Sequence, residues 1–388
     1  FFGFLDNTKV KIFLFEEKKF LKTNNVYDGR GFFSIKKFLL FSLLAFEFLK
    51  KFNFPKIIHC HDWHTAILPF IFKNKGIKKT KSVLTIHNIS HQGKWNEKEI
   101  LDFLKLERKN KNGKFNILRE GILNADIITT VSQTYAKDIL TKEFGMGLEN
   151  DLKKRKKDLF GIINGIDTEI FNPQKDPYLK NNYSIKSFEK KIENKLYLQK
   201  TLKLKVEPKI PLFSFIGRLD YQKGIPLLIK SIPYFKKLNL QLVILGKGKR
   251  SFENYLKKIS KKYSNISTKI KFDSVLAQKI YGGADFILMP SLFEPCGLVQ
   301  MIAQRYGTIP IARKTGGLAD TIEEGKTGFL FEKYDLEEFL EAIKRGVRAF
   351  KNKTFWKKMV TKAMKKNFSF KKSAKKYISL YRKLANEL

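Results

Sequence analysis

The chain has 388 residues, which is enough for two domains with substantial cores and excludes a single small binding module. Its apolar fraction of 43%, beside 29% charged residues, excludes disorder over most of the length. The formal net charge of +40 would attract nucleic acid, anionic lipid or phosphorylated substrates, and the sign alone does not choose among them. Because Lys, Phe, Ile and Asn are all abundant along the chain, we attribute the charge to composition rather than to nucleic-acid binding.

Two cysteines, Cys60 and Cys296, are too few for a disulfide framework, which favours a reducing compartment. The chain begins with Phe1 rather than Met, so we expect either a processed N-terminus or a piece of a longer chain. The most apolar stretch, residues 38–49, contains Glu47 and is shorter than the ~20 residues that span a bilayer. It predicts a buried helix.

From Pro55 onward, short apolar and β-branched runs alternate with longer helical patterns. The pattern predicts helices at 65–72 and 133–140, between strands at 56–60, 82–86, 126–131 and 159–163. It restarts in the second half with strands at 212–216, 240–245, 269–272, 286–289, 308–312 and 328–331. This β-α-β rhythm is typical of a parallel sheet covered on both faces, so we predict an α/β protein with two doubly wound, Rossmann-like domains.

A segment with several prolines, residues 172–211, separates the two patterns and contains a predicted helix at 188–204. We place the boundary at Asn172, giving domains at 1–172 and 173–388. From Thr354 the chain is basic and helical, and we expect this terminal helix to pack back on the N-terminal domain.

In open parallel sheets, ligands bind at the carboxyl ends of the strands. Three predicted strand ends in the second half carry candidate residues. Arg218 and Lys223 follow the strand at 212–216 and could hold a diphosphate, although Arg and Lys beside a helix start are common on protein surfaces. Glu294 follows the strand at 286–289 between prolines and a glycine, which favours a functional carboxylate. After the strand at 308–312, Thr315, Gly316 and Gly317 open a helix whose free amides are expected to face an anion.

All five histidines of the chain lie between positions 59 and 91: His59, His61, His64, His87 and His91. Asp62 and the pair His87-Asn88 end successive predicted strands, so they would lie side by side if those strands are neighbours. A zinc site is the weaker interpretation, because the sequence has no closely spaced Cys pair and no His-Glu-x-x-His helix. For His59 and His61, a purely structural role in the core remains open.

The absence of a Walker loop and of a Gly-x-Gly-x-x-Gly fingerprint argues against nucleoside triphosphate hydrolysis and hydride transfer. Taken together, the motifs resemble those of the bacterial glycogen synthases and plant starch synthases, which are retaining glucosyltransferases of the GT-B type. The matching segments follow the family order: His-Asp-Trp-His at 61–64, Thr-Ile-His-Asn-Ile at 85–89, Asn-Gly-Ile-Asp at 164–167, Gly-Arg-Leu at 217–219, Gln-Lys-Gly at 222–224, Phe-Glu-Pro-Cys-Gly-Leu at 293–298, and Lys-Thr-Gly-Gly-Leu-Ala-Asp at 314–320.

The resemblance implies transfer of glucose from ADP-glucose to the non-reducing 4-hydroxyl of an α-1,4-glucan, in a cleft between two Rossmann-like domains. It implies catalytic roles for Glu294, His87, Asp62 and Asn88. Arg218, Lys223, Gly297 and Leu298 would bind the donor phosphates. Phe272, Cys296 and Asn164 would contact the nucleobase or sugar, with Phe272 stacking on adenine. No metal or other cofactor is implied, since Arg and Lys supply the positive charge.

The implied partners are a nucleotide sugar and an α-1,4-glucan such as glycogen or starch, with no nucleic acid and no membrane. The implied location is a bacterial cytoplasm or a plastid stroma. Members of this family begin with a strand and a Lys-x-Gly-Gly-Leu loop, and the resemblance implies that this chain begins several tens of residues later. We therefore expect a loosened N-terminal sheet with exposed apolar residues such as Ile57, Ile58, Val83 and Leu84.

Two alternatives within this resemblance are a retaining transferase that uses UDP-glucose and a catalytically silent glucan-binding protein. A third, nucleic-acid binding, depends on the net charge alone and predicts binding with a steep salt dependence.

Overall fold

The fold is described from a computed structural model that covers residues 2–5, 8–18, 20–21, 31–106 and 113–387. The strands, in chain order, are β1 (Phe2–Phe4), β2 (Lys11–Phe13), β3 (Ile57–His61), β4 (Lys81–Ile86), β5 (Lys94–Asn96), β6 (Lys114–Asn116), β7 (Ile127–Thr130), β8 (Leu159–Gly161), β9 (Leu212–Ile216), β10 (Gln241–Gly246), β11 (Ile266–Ile270), β12 (Phe286–Met289), β13 (Ile309–Arg313) and β14 (Phe329–Phe331).

The α-helices, in chain order, are α1 (Phe32–Lys51), α2 (Asp62–Thr65), α3 (Ile67–Asn74), α4 (Glu97–Leu104), α5 (Ile117–Asn124), α6 (Gln133–Asp138), α7 (Glu149–Lys154), α8 (Lys191–Thr201), α9 (Ile225–Phe235), α10 (Arg250–Lys262), α11 (Ser274–Gly283), α12 (Val299–Arg305), α13 (Gly316–Thr321), α14 (Leu336–Lys351), α15 (Lys353–Lys365) and α16 (Phe370–Asn386). Short 3₁₀ helices occur at Lys156–Asp158 and Ile185–Lys190. None of the helices in the described part of the chain is long and apolar enough to cross a membrane.

Contacts between residues divide the chain into two compact units at positions that differ from the predicted boundary at Asn172. The first unit comprises residues 1–131, 136–161 and 377–388, and the second comprises residues 132–135 and 162–376. Buried polar contacts attach the proline-containing segment to the second unit. The Tyr306 hydroxyl donates to Asp176 at 2.6 Å, and Lys195 forms a buried ion pair with Asp285 at 2.6 Å.

The second unit contains a six-stranded parallel sheet with the order β11-β10-β9-β12-β13-β14. Taken along the chain, this is the 3-2-1-4-5-6 order of a doubly wound sheet. Strands β10 and β12 are buried along their whole length, because helices cover both faces of the sheet. The direction of winding reverses between β9 and β12, and the crevice at such a reversal is where ligands bind in sheets of this type.

The first unit contains a four-stranded parallel sheet with the order β3-β4-β7-β8, together with the antiparallel pairs β1-β2 and β5-β6. The expectation that Ile58, Val83 and Leu84 are exposed is wrong, since their exposed fractions are 7%, 0% and 0%. On one face, Leu384 of α16 packs with Val83 in a buried cluster. On the other, α5 packs so closely on Leu84 that a Cβ at Gly121 would lie 2.9 Å from it.

The predicted strands are present with end shifts of up to three residues, and the largest shift is functionally relevant. The strand predicted at 269–272 is β11, Ile266–Ile270, so Phe272 lies in the loop beyond it. The helix predicted at 38–49 runs over Phe32–Lys51 and is buried on one face only, since Phe33 and Phe41 are each 37% exposed. The predicted helices at 65–72 and 188–204 are each divided, because α3 follows α2 and α8 follows a 3₁₀ helix.

Candidate active site

The crevice of the second unit brings together side chains from the loops that follow β9 and β12. Lys223 Nζ lies 2.5 Å from Glu294 Oε2, and the Ser291 hydroxyl donates to the same oxygen at 3.1 Å. Glu294 is only 5% exposed, so this carboxylate is buried with a cationic partner. Removing a charge from water costs free energy, so a buried carboxylate needs a charged partner. Here the pair lies at the predicted ligand-binding end of the sheet.

Arg218 lies on the same loop after β9 as Lys223, and its side chain is exposed. Its side chain is 60% exposed, and it contacts Asp220 at 3.1 Å and Gln222 at 3.0 Å. These contacts orient the guanidinium and leave it accessible. An accessible Arg next to a Lys at the start of a helix is suited to binding the two phosphates of a nucleoside diphosphate.

Gly224 permits the close approach that forms the Lys223–Glu294 pair. It has φ +74°, and a Cβ there would lie 1.7 Å from the carbonyl oxygen of Pro290. The loop after β9 therefore packs directly on the backbone at the end of β12. Only glycine combines this left-handed conformation with such a contact.

Gln300 stabilises the loop that carries Glu294 by hydrogen bonds. It was not among the residues predicted from the sequence. The Gln300 amide donates to the carbonyl oxygens of Cys296 and Gly297, both at 2.9 Å, and to the Thr321 hydroxyl at 3.0 Å. Gln300 is fully buried on α12. The sequence of α12 gave only a weak signal for this role, because the helix also contains Gln304 and Arg305 and the local pattern does not show which polar side chain is buried.

The expectation that Thr315 and Gly317 offer free amides to an anion is wrong. The Thr315 amide donates to the Arg313 carbonyl at 3.0 Å, and the Gly317 amide donates to the Glu294 carbonyl at 3.0 Å. The glycines serve packing instead, since a Cβ at Gly316 would lie 2.1 Å from the Glu294 carbonyl oxygen. The start of α13 thus braces the backbone that carries Glu294.

Cys296 and Asn164 also lie together in the second unit, where the Cys296 thiol hydrogen-bonds to the backbone of Asn164. Burial raises the pKa of the Cys296 thiol to about 12, with smaller contributions from Glu294 and Asp320. The thiol is therefore protonated at neutral pH and is not a nucleophile. Asn164 additionally lines a cavity of about 430 Å³ together with Asp320.

Phe272, Gly297 and Leu298 lie on the surface or at turns near the strand ends. Phe272 follows β11 and is 92% exposed, which is unusual for a large apolar side chain. Gly297 has φ +70° and allows the turn into α12, and Leu298, 46% exposed, immediately precedes that helix. An exposed ring and a helix start of this kind are suited to a flat base and a phosphate.

In the first unit, strands β3 and β4 are neighbours, so Asp62 and the pair His87-Asn88 meet as predicted. Asp62 Oδ1 accepts hydrogen bonds from the backbone amides of His87 at 2.7 Å and Asn88 at 3.3 Å. Asp62 itself has φ +52°, a left-handed conformation that Asp tolerates better than most residues. Its carboxylate therefore sets the position of the turn that carries His87 and Asn88.

Three histidines, His59, His61 and His87, lie at or beside this turn. One of them, His61, is not a core residue. His61 Nδ1 lies 3.1 Å from His87 Nε2, and part of His61 reaches the surface. His59 has both ring nitrogens bonded, to Tyr381 and Thr85, each at 2.6 Å. Burial, reinforced by His61 and His87, lowers the pKa of His59 to about 4. Among the described residues, no three His, Cys, Asp or Glu side chains are placed to hold a metal ion.

Comparison with known proteins finds two family models, one matching the first part of the chain and one matching the second. A family model described as the starch synthase catalytic domain matches residues 2–154, and one described as glycosyl transferases group 1 matches residues 198–366. A glycogen synthase from Thermodesulfovibrio yellowstonii is 41% identical over 395 residues, covering 98% of this chain and 80% of that protein.

The chain belongs to the glycogen and starch synthase family. The resemblance inferred from the motifs is therefore confirmed, and this family member is a glycosyltransferase. The catalytic domain of starch synthase IV from Arabidopsis thaliana, bound to ADP and acarbose, has a TM-score of 0.84 with 36% identity, covering 91% of this chain and 78% of that one. A sucrose-phosphate synthase from Thermosynechococcus elongatus, 17% identical with a TM-score of 0.62 over 91% of this chain and 79% of that one, shares the fold. The predicted GT-B class is confirmed.

Proposed function

We propose that this family member transfers glucose from ADP-glucose to the non-reducing 4-hydroxyl of an α-1,4-glucan, with retention of the anomeric configuration. The observation that carries the proposal is the buried Glu294 carboxylate, which is paired with Lys223, while the accessible Arg218 lies on the same loop as Lys223. These are the charges that a nucleotide-sugar reaction needs at the crevice of a doubly wound sheet. The ADP held by the similar starch synthase IV supports an adenine nucleotide as the donor.

In the proposed reaction, the bond between glucose C1 and the diphosphate oxygen breaks, and the acceptor's 4-oxygen bonds to C1. The acceptor hydroxyl gives its proton to the departing diphosphate oxygen, and ADP leaves. Negative charge grows on the diphosphate, where Arg218 and Lys223 stabilise it, while Glu294 stabilises the positive charge that develops on the sugar ring. Since these side chains supply the positive charge, we propose that no metal or other cofactor takes part.

The remaining residues are proposed to bind and orient the donor. Phe272 stacks on the adenine, and the backbone at Gly297 and Leu298 contacts the phosphates. Cys296 and Asn164 line the sugar-binding region as polar walls, which suits a thiol that stays protonated. His87 and Asn88 are proposed to bind glucose, and Asp62 positions both residues by accepting hydrogen bonds from their amides.

The proposed partners are a nucleotide sugar and an α-1,4-glucan, with no role for nucleic acid or a membrane surface. The named glycogen synthase relative is bacterial, so a bacterial cytoplasm is favoured over a plastid stroma. The expectation for polynucleotides is weak binding at physiological salt that does not change when any one basic segment is neutralised.

The test is glucose incorporation into glycogen, with ADP-glucose and UDP-glucose compared by release of ADP or UDP. Glu294→Gln keeps the volume of the side chain and removes its charge, so transfer should fall more than ~100-fold. Glu332→Gln is the matched control, because Glu332 forms a Lys–Glu pair with Lys314 on the surface of the same unit, with 73% of its side chain exposed. Near-normal turnover of Glu294→Gln would contradict the catalytic role proposed for Glu294. A preference for UDP-glucose favours the other donor, and glycogen binding without transfer favours a silent glucan-binding protein.

A further inference from the structure

Two observations on the first unit show that His87 is held at both its backbone and its ring. Asp62 accepts a hydrogen bond from the His87 amide at 2.7 Å, which places the residue. His61 Nδ1 lies 3.1 Å from His87 Nε2, which constrains the ring. His61 is the last residue of β3, and in the β3-β4 register it is paired with Thr85, two residues before His87.

His61 is in turn supported by a second histidine and by the end of the chain. The rings of His59 and His61 are stacked with centroids 4.3 Å apart. His59 is anchored at both nitrogens, by the Tyr381 hydroxyl of α16 and by Thr85, which also contacts Thr129 at 2.6 Å. Burial and the nearby His87 lower the pKa of His61, with Asp62 opposing, so these supporting rings stay neutral at physiological pH.

One proton lies between His61 Nδ1 and His87 Nε2, because a hydrogen bond between two ring nitrogens needs one donor and one acceptor. If His87 donates this proton, its Nδ1 is left as an acceptor. If His61 donates it, His87 carries its own proton on Nδ1 and presents a donor. The partner of Nε2 therefore decides whether the other nitrogen of His87 accepts from or donates to a ligand.

We propose that His61 is a positioning residue that fixes the ring orientation and the tautomer of His87, with His59 and Tyr381 as its support. This inference rests on the proposed function for the role of His87 in transfer. His61 acts through His87 and is not itself assigned a contact with the substrate.

A purely structural role for His61 makes different predictions. His61 is partly exposed at the carboxyl end of β3, so replacing it by an aromatic ring of similar size should leave the stability of the unit nearly unchanged. His61→Phe keeps a ring that can stack on His59 and removes the nitrogen. His61→Asn keeps a polar atom close to the position of Nδ1. His91→Phe is the matched control, since His91 is another exposed histidine of the same unit.

The first measurement does not depend on activity: the ring ¹⁵N chemical shifts of the full chain labelled at its five histidines. In the unmodified protein, we expect His87 to show one bare and one protonated nitrogen. In His61→Phe the two shifts should move toward each other as the tautomers mix, while His91→Phe leaves them in place. Unchanged His87 shifts in His61→Phe would overturn the proposal, whether or not the chain transfers glucose.

The second measurement is a double-mutant cycle in glucose transfer. His61→Phe should lower kcat about 10-fold or more, taking the scale found when a hydrogen-bond partner that orients a metal-ligating histidine is lost, with little change in KM for the donor. His61→Asn should recover much of that loss. In a His87→Phe background, His61→Phe should have almost no further effect, since its only route is through His87. Independent, multiplicative losses in the two variants would refute the proposal. If the unmodified chain does not transfer glucose at all, the proposed function fails, and the ¹⁵N shifts alone decide the role of His61.

Discussion

Gly224 provides a sharp test of how the second unit assembles its pair of opposite charges. A Cβ at this position would lie 1.7 Å from the carbonyl oxygen of Pro290, a separation that real Cβ atoms do not show. In Gly224→Ala, the loop after β9 must therefore withdraw from the end of β12. Because Lys223 is the preceding residue, its ammonium moves with the loop and away from Glu294.

The geometry sets the size of the effect. Restoring an ordinary contact of about 3.2 Å requires a shift of about 1.5 Å, and a misplacement of ~1 Å in an active site costs about 100-fold in rate. The left-handed conformation, φ +74°, adds about 1 kcal/mol of backbone strain for any residue with a Cβ. We expect Gly224→Ala to lose about 100-fold in glucose transfer and to lower the free energy of unfolding by more than the strain alone.

Gly325→Ala separates the two causes. Gly325 has a similar φ of +65°, but a Cβ there would meet no atom within 4 Å. It should therefore show the strain, as a loss of about 1 kcal/mol in urea unfolding, and keep normal transfer. If Gly224→Ala stays within about 3-fold of Gly325→Ala in glucose incorporation, the contact with Pro290 does not position Lys223 and the reasoning is wrong.

Two further predictions concern the base and the histidines. Phe272→Ala should weaken ADP binding by ~1–3 kcal/mol in calorimetric titration if a base stacks on this exposed ring, whereas Phe355→Ala, at another exposed ring, should leave the affinity unchanged; equal affinities would exclude stacking at Phe272. The lowered pKa of His59, about 4 in the folded unit, predicts that the first unit is sensitive to acid. Between pH 6.5 and 4 the unfolded chain binds a proton at His59 that the folded unit does not bind. The free energy of unfolding therefore falls as the pH falls through this range. Allowing for the partial exposure of His59, the loss is about 2 kcal/mol, measurable by hydrogen exchange of β3 and β4, and a slope that is the same in His59→Gln would contradict it.

Much of the fold and part of the site follow from the sequence by itself. The alternation of apolar runs and helical patterns predicted the strands, because side-chain periodicity reports which face of an element is buried. Parallel strands bring their carboxyl ends to one edge, so the approach of Asp62 to His87 was predictable once β3 and β4 were taken as neighbours. The same rule selected Arg218, Lys223 and Glu294 as candidates at strand ends.

The tertiary structure alone decided which of these groups contact each other and which are already occupied. In the structure, Lys223 forms an ion pair with Glu294, and the amides of Thr315 and Gly317 donate to backbone carbonyl groups. Local sequence patterns do not reveal these contacts. The tertiary structure also brought Leu384 onto Val83 and Tyr381 onto His59, across more than 300 residues of sequence. The physical reason is that periodicity encodes which face of an element is apolar, whereas the choice of partner depends on many small packing and hydrogen-bond energies summed over elements distant in sequence.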